Sequence, residues 1–149
     1  MAKDVIINIR SYEEGDGEPE VVDFTTDGKM TSTSYGYCIV YHESELTGME
    51  GTTTTIRVEE TPRLTLSRRG TVSARMTFEK DKRNLTAYNV EQGQLTIGLY
   101  TFDLSQDIGP KGGSIHVGYT VEFDSHVAGV RTLDVTVRAK DSNQITEIS

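Results

Sequence analysis

Two charged residues, Glu43 and Arg68, stand where the pattern around them is apolar. At every second position before Glu43 stand Tyr37, Ile39 and Tyr41, and before Arg68 stand Leu64 and Leu66. Alternate side chains of a β-strand share one face, so both charges are expected to point into the apolar interior. A buried carboxylate is costly unless it is paired, and a guanidinium can bind it through a bidentate fork. We therefore predict a Glu43–Arg68 ion pair, or a polar cluster shared with Tyr41, Tyr88 or Tyr119.

Two interpretations of this cluster remain open at the level of sequence. In the first, Glu43 and Arg68 orient a small polar or anionic ligand inside a cavity, which the tyrosines help to line. In the second, both charges lie at the end of the strands, solvated or satisfied by each other, and only fix the strand register. The tyrosines then belong to an ordinary core or rim, because their rings are apolar and their hydroxyl groups can reach a polar partner.

The motifs of common enzymes are missing from the sequence. The three histidines, His42, His116 and His126, are not in metal-ligand spacing with one another or with the single cysteine, Cys38. There is no Gly-x-Ser-x-Gly nucleophile motif, and the glycine-rich segment 109–113 lacks the ending of a phosphate-binding loop. The sequence thus predicts no catalytic residue, no metal site and no cofactor. An enzyme would need an unrecognised arrangement in which Glu43 acts as the base.

The elements that must position these residues are β-strands. Apolar residues alternate with polar ones in the last third of the chain, at Ile115, Val117, Tyr119, Val121 and Phe123, and again at Leu133, Val135 and Val137. We predict nine or ten antiparallel strands joined by short turns, in a single domain over residues 1–149. Because closing such a meander removes its exposed edges, the predicted fold is all-β: one up-and-down barrel of about 8–10 strands.

Three local features are predicted within these strands. The dipeptide Asp27-Gly28 is typical of a hairpin turn. The apolar phase changes near Gly98, which indicates a bulge or a sharp bend at that residue. The first strand is expected over residues 5–10, ended by the acidic and glycine-rich segment 13–17.

Composition limits the partners and the compartment. With 15 basic and 23 acidic residues the formal net charge is −8, which repels nucleic acid and anionic membranes, so neither is expected as a partner. A single cysteine and a first segment without an apolar run predict a reducing cytoplasm. We keep a homo-oligomer as an alternative to a monomer.

Several segments, taken in order, are similar to a known family. They are Tyr41-His42-Glu43 with Leu46, Gly48 and the threonine-rich run to Val58, Arg68-Arg69-Gly70 with Met76 and Phe78, Tyr88 with Gly93, and the stretch from Gly112 to Tyr119. Together they resemble the YwiB-like family of small bacterial proteins of unassigned function. The resemblance implies a calycin-like, lipocalin-type β-barrel. The sequence departs from the family after Tyr88, where a Thr-Pro-aromatic-Gly turn is common and residues 89–93 differ.

The function predicted from these observations is a non-catalytic binding module that holds a small molecule in the barrel. The candidate ligand contacts are Glu43, Arg68, Tyr41, Tyr88 and Tyr119. The alternative is a barrel filled by its own side chains that acts as a structural or protein-interaction module. The polar outer face of such a barrel would include Thr53, Thr55, Arg57 and Glu59.

Overall fold

The chain forms ten β-strands in a computed structural model that describes residues 2–15, 17–60, 63–123 and 126–140. The strands are β1 (Ala2–Gly15), β2 (Glu20–Ser32), β3 (Gly36–His42), β4 (Thr53–Glu59), β5 (Arg63–Arg69), β6 (Ser73–Glu79), β7 (Lys82–Val90), β8 (Gly93–Gly109), β9 (Gly112–Phe123) and β10 (His126–Ala139). The described residues contain no helix that could span a membrane by its length and hydropathy.

Each strand pairs with its neighbours in sequence, and the first strand pairs with the last. All these pairings are antiparallel, and the pairing of β1 with β10 closes the sheet into a barrel. The predicted all-β, up-and-down barrel is confirmed. The predicted domain covers residues 1–149, of which residue 1, residue 16, residues 61–62, residues 124–125 and residues 141–149 lie outside the described part of the structure.

The core lies inside the barrel and follows the alternation of the sequence. On β4, for example, Ile56 and Val58 are buried while Arg57 between them is exposed. Val117 and Tyr119 on β9 are also buried, as predicted. Burying one face of every strand is what stabilises this sheet, because each fully buried aliphatic or aromatic side chain contributes about 1.5–3 kcal/mol.

The hairpin predicted at Asp27-Gly28 is wrong, because β2 continues through both residues. Gly28 pairs with Val5 on β1 and with Tyr41 on β3, and the chain turns later, after Ser32. A β-carbon at Gly28 would lie 2.5 Å from the Ile7 Cδ1 atom. This glycine is therefore required by close packing inside the barrel rather than by a turn.

A bulge is present in β8, but it lies beyond Gly98. The register of β8 against β9 shifts between Thr101 and Asp103, so that the buried phase passes from Leu99 and Thr101 to Leu104. Phe102 points outward at the shift and covers Gly118, where a β-carbon would lie 2.6 Å from the ring. The predicted change of phase is therefore real, but it comes after Thr101 rather than at Gly98, because Phe102 is on the outer face.

One end of the barrel, here called the mouth, is formed where β1, β3, β5, β7 and β9 end. The β1 strand reaches Gly15, five residues beyond its predicted end at Arg10. The longest connection at the mouth is the β3–β4 loop, residues 43–52. Backbone hydrogen bonds from Thr47 to Ser44, from Gly48 to Glu45 and from Thr52 to Met49 give this loop a defined shape.

Candidate functional site

The barrel encloses a cavity of about 330 Å³ that opens at the mouth. All five residues predicted from the sequence as ligand contacts line it, namely Tyr41, Glu43, Arg68, Tyr88 and Tyr119. The interior is thus not completely filled by side chains, and the polar cluster expected from strand phase lies around the open part.

Strand register brings the first part of the cluster together. Arg68 on β5 is directly opposite Thr54 on β4, and Thr54 is directly opposite Tyr41 on β3. Residues opposite each other in an antiparallel pair point to the same face, so these three side chains form a row on the inner wall. Glu43 follows one inward position after Tyr41, at the start of the β3–β4 loop.

Glu43 is almost completely enclosed and already has several partners. Its side chain is 1% exposed, and one carboxylate oxygen accepts a hydrogen bond from the Thr54 hydroxyl group. The other oxygen accepts a hydrogen bond of 3.0 Å from the hydroxyl group of Thr47 in the β3–β4 loop. The carboxylate therefore connects the wall of the barrel to the loop at its mouth.

The predicted Glu43–Arg68 ion pair is present, but it is not a bidentate fork. The Arg68 Nε atom lies 3.7 Å from the Glu43 Oε2 atom, which is too long for a hydrogen bond. Within the described residues this Nε atom is buried and has no hydrogen-bond partner. Glu43 thus balances the charge of Arg68 without satisfying its donors.

A second ion pair, missed from the sequence, completes the polar ring. Glu13, Arg131 and Tyr119 are opposite one another on β1, β10 and β9. The Arg131 Nη2 atom lies 3.0 Å from the Glu13 Oε2 atom. Burial alone would lower the pKa of Arg131, but the neighbouring Tyr119 and Glu13 outweigh it and raise the pKa. The Arg131 Nε atom is another buried donor that has no partner among the described residues.

Two of the tyrosines are buried in this ring as neutral hydroxyl groups. Burial and the nearby Glu43 carboxylate raise the pKa of Tyr41 far above its ordinary value. Burial also raises the pKa of Tyr119, although Arg131 and Arg68 act in the opposite direction. The Tyr119 ring stacks at a tilt on Phe78, with 4.8 Å between ring centroids. Both hydroxyl groups are therefore protonated at neutral pH and can donate hydrogen bonds.

Apart from Ser11, the remainder of the lining is apolar. Its inner part is formed by Ile9, Ile56, Leu66, Met76, Phe78 and Val135. Nearer the mouth, Leu46 and Met49 of the β3–β4 loop also face the cavity, and Leu46 is 73% exposed. A ring of charged and hydroxyl groups inside an otherwise apolar pocket is the usual composition of a small-molecule site.

The histidines and the cysteine are away from this cavity. His116 faces outward, as predicted, with its Nδ1 atom 2.6 Å from Asp134 and its Nε2 atom 3.2 Å from Asp103. Burial raises the pKa of Cys38, which alternates with the inward Tyr37 and Ile39. No group of three or more histidine, cysteine or acidic residues suited to a metal ion occurs in the part of the chain that the structure describes.

The fold and the cavity together define a closed, ten-stranded antiparallel barrel with a polar pocket at one end. Residues 7–135 match a family model described as a domain of unknown function (DUF1934), so the chain belongs to that family. The crystal structure of ywiB protein from Bacillus subtilis is similar, with a TM-score of 0.84 and 19% sequence identity over 94% of both chains. This likeness confirms the YwiB-like barrel fold. No curated protein matches the chain.

Proposed function

We propose that this protein is a non-catalytic binding module that holds a small molecule in the mouth cavity. The observation that carries the proposal is an open cavity of about 330 Å³ in which Arg68 and Arg131 each keep a buried Nε donor that no described residue accepts from. A buried donor without an acceptor costs about 1–3 kcal/mol. A ligand that supplies acceptors to these guanidinium groups, with a small movement of each side chain toward the cavity, would recover that free energy on binding.

The arrangement around Glu43 supports binding rather than catalysis. A general base needs a free lone pair within reach of the substrate proton. The Glu43 side chain is only 1% exposed, and its carboxylate accepts hydrogen bonds from Thr47 and Thr54, so its remaining lone pairs are enclosed by the protein and out of reach of a substrate proton. We therefore assign Glu43 a positioning role, in which it holds the β3–β4 loop and Arg68 in place, and we propose no cofactor.

A cavity-filling substitution tests this function. Ser11 lines the cavity on β1, and Ser11→Phe would occupy the open volume, whereas Ser105→Phe adds the same ring at an exposed position of β8. The probe is N-phenyl-1-naphthylamine, a neutral dye that fluoresces in apolar sites. We expect the natural chain and the Ser105→Phe variant to bind the dye, and the Ser11→Phe variant to lose it. Equal binding by all three proteins would contradict the proposal.

A second candidate function, protein interaction, is favoured by the outer wall of β7–β10. Leu85 is 74% exposed there, Val127 is 62% exposed and Phe102 is 42% exposed. Leu85, Gly98, Glu122 and Val127 are opposite one another in consecutive strands, so they form one row on this wall. Light scattering of the natural chain and of the Leu85→Glu variant tests a homo-oligomer. A mass that equals one chain in both proteins would exclude it.

We also propose that the binding module is cytoplasmic and that it binds neither nucleic acid nor membranes. This part of the proposal rests on the net charge of −8 and on the single cysteine. Fluorescence microscopy of the tagged protein and a filter-binding assay with RNA test these two points. A membrane-bound or RNA-bound protein would contradict them.

A further inference from the structure

We propose that the ligand of the mouth cavity is an organic monoanion with an apolar body, and that its charged group binds between Arg68 and Arg131 beside the Tyr119 hydroxyl group. This inference rests on the proposed binding function. It adds the chemical class of the ligand and the residues that select it.

Arg68 provides the first half of the anion site. A guanidinium carries five N–H donors, and within the described residues Arg68 has only the ion pair of 3.7 Å to Glu43. Its side chain is 16% exposed and lines the cavity, so little water surrounds it. A carboxylate or sulfonate that enters the cavity can accept the hydrogen bonds that Glu43 leaves unmade, and such charge-assisted bonds are roughly twice as strong as neutral ones.

Arg131 and Tyr119 provide the second half. Arg131 contacts Glu13 through Nη2, and its buried Nε atom stays without an acceptor among the described residues. Tyr119 pairs directly with Arg131 in the sheet, and its hydroxyl group lies close enough to both guanidinium groups to feel their charges. As a protonated phenol it donates a hydrogen bond and adds no negative charge. All three groups line the same cavity, and we place the charged group of the ligand among them.

The carboxylates of the cavity limit the charge of the ligand. Glu13 and Glu43 balance the two arginines, so the lining is neutral before a ligand binds. One negative charge can be accommodated by the free donors of the arginines. A second negative charge, as on a phosphate monoester, would meet the repulsion of both glutamates at short range.

The apolar lining sets the nature of the rest of the ligand. Leu66, Met76 and Phe78 lie on the inner wall of the cavity, and Leu46 and Met49 lie at its mouth. A ligand that is only a small inorganic anion would leave these apolar surfaces in contact with water. An aromatic or aliphatic body bound to them gains about 25 cal/mol for each square ångström of apolar surface that leaves water.

Two dyes with the same body separate charge from shape. 8-Anilinonaphthalene-1-sulfonate carries one sulfonate group, and N-phenyl-1-naphthylamine has the same two aromatic parts without it. The test variant is Glu43→Gln with Arg68→Met, which removes both members of the ion pair and leaves no unpaired buried charge. The control is Arg69→Met, because Arg69 is the next residue on β5 and is exposed on the outer face.

We expect the dissociation constant of the sulfonate dye to rise about tenfold or more in the double variant, the equivalent of one charge-assisted hydrogen bond. The neutral dye should lose much less affinity than the sulfonate dye in the double variant, and Arg69→Met should change the affinity for neither dye. Adding Arg131→Met to the double variant should weaken the binding of the sulfonate dye further.

The outcomes separate this inference from the function on which it rests. If both dyes bind the natural chain equally and the double variant changes neither, the cavity binds small molecules but has no anion site, and the inference is overturned. If neither dye binds the natural chain, the binding function fails together with the inference. If inorganic phosphate displaces the sulfonate dye as well as an organic monoanion such as benzoate does, the apolar selectivity is wrong.

Discussion

Arg68 and Glu43 lie 3.7 Å apart from Nε to Oε2, in contact as charges but without a hydrogen bond between them. Glu43 instead accepts hydrogen bonds from Thr54 and Thr47, so its position is fixed by the wall and by the β3–β4 loop. The guanidinium is held near a carboxylate that cannot satisfy it. This geometry stabilises a cation inside the barrel and leaves its buried Nε donor without a hydrogen bond.

The first prediction concerns the stability of this pair. Glu43→Gln leaves the Arg68 charge without a counter-charge, so we expect it to reduce the free energy of unfolding by about 3 kcal/mol, as for other broken buried pairs. The combination of Glu43→Gln with Arg68→Met should lose less than Glu43→Gln alone, because no unpaired charge remains. Urea unfolding of both variants, of Arg68→Met and of the natural chain measures the coupling.

The matched control for this cycle is the exposed pair of Glu59 and Arg63. These side chains are 3.5 Å apart, and Arg63 is 48% exposed. Glu59→Gln should therefore cost less than about 1 kcal/mol. Equal losses for Glu43→Gln and Glu59→Gln would show that the Glu43–Arg68 pair is not a buried one.

The second prediction concerns Gly28. A β-carbon there would lie 2.5 Å from Ile7 Cδ1 and 2.6 Å from the Val40 carbonyl oxygen, so Gly28→Ala should destabilise the barrel by about 1–3 kcal/mol through overpacking. Gly17→Ala is the control, because nothing lies within 4 Å of the added carbon. Thermal unfolding measures both variants, and an unchanged melting temperature for Gly28→Ala would refute the packing role of this glycine.

The alternation of the sequence was enough to predict the barrel and the inward direction of Glu43 and Arg68. Arg131 was missed although it is in phase with Leu133 and Val135, because the strand was traced only from its apolar residues. Glu13 was missed because the neighbouring glycines and acidic residues indicated a turn, whereas β1 runs to Gly15. Thr47 lies in an irregular loop, where no periodicity shows which way a side chain points.

The third prediction concerns pH. The hydrogen bond and charge of Asp134, with help from Asp103, raise the pKa of His116 above 6.5, its value in an unfolded chain. A raised folded-state pKa means that the stabilisation is fully present below pH 6.5 and is lost as the pH rises through the folded value. Because His116 is 38% exposed, we expect the loss to be only about 0.5 kcal/mol.

His116→Gln should remove this pH-dependent step while the rest of the stability profile keeps its shape. Unfolding by urea at a series of pH values from 5 to 9 measures the step in both proteins. A natural chain that becomes more stable as the pH rises over this interval, by comparison with the variant, would contradict the assigned sign.

The fourth prediction concerns Cys38. Burial raises the pKa of its thiol, so less of the reactive thiolate is present at a given pH, even though Arg57 acts in the opposite direction. Alkylation by iodoacetamide at pH 8 should be slower in the folded protein than in the same protein unfolded by guanidinium chloride. Equal rates in the two states would show that the thiol is fully solvated and unperturbed.

The proposed site for a small molecule is the mouth cavity, with Arg68 and Arg131 in its wall. An NMR titration with 8-anilinonaphthalene-1-sulfonate tests this site. The protein carries ¹⁵N-labelled arginines. We expect saturable shifts of the Nε–H signals of Arg68 and Arg131, while the signal of the outward Arg69 stays in place. Shifts confined to arginines of the outer wall, such as Arg83 beside Glu122, would contradict this binding site.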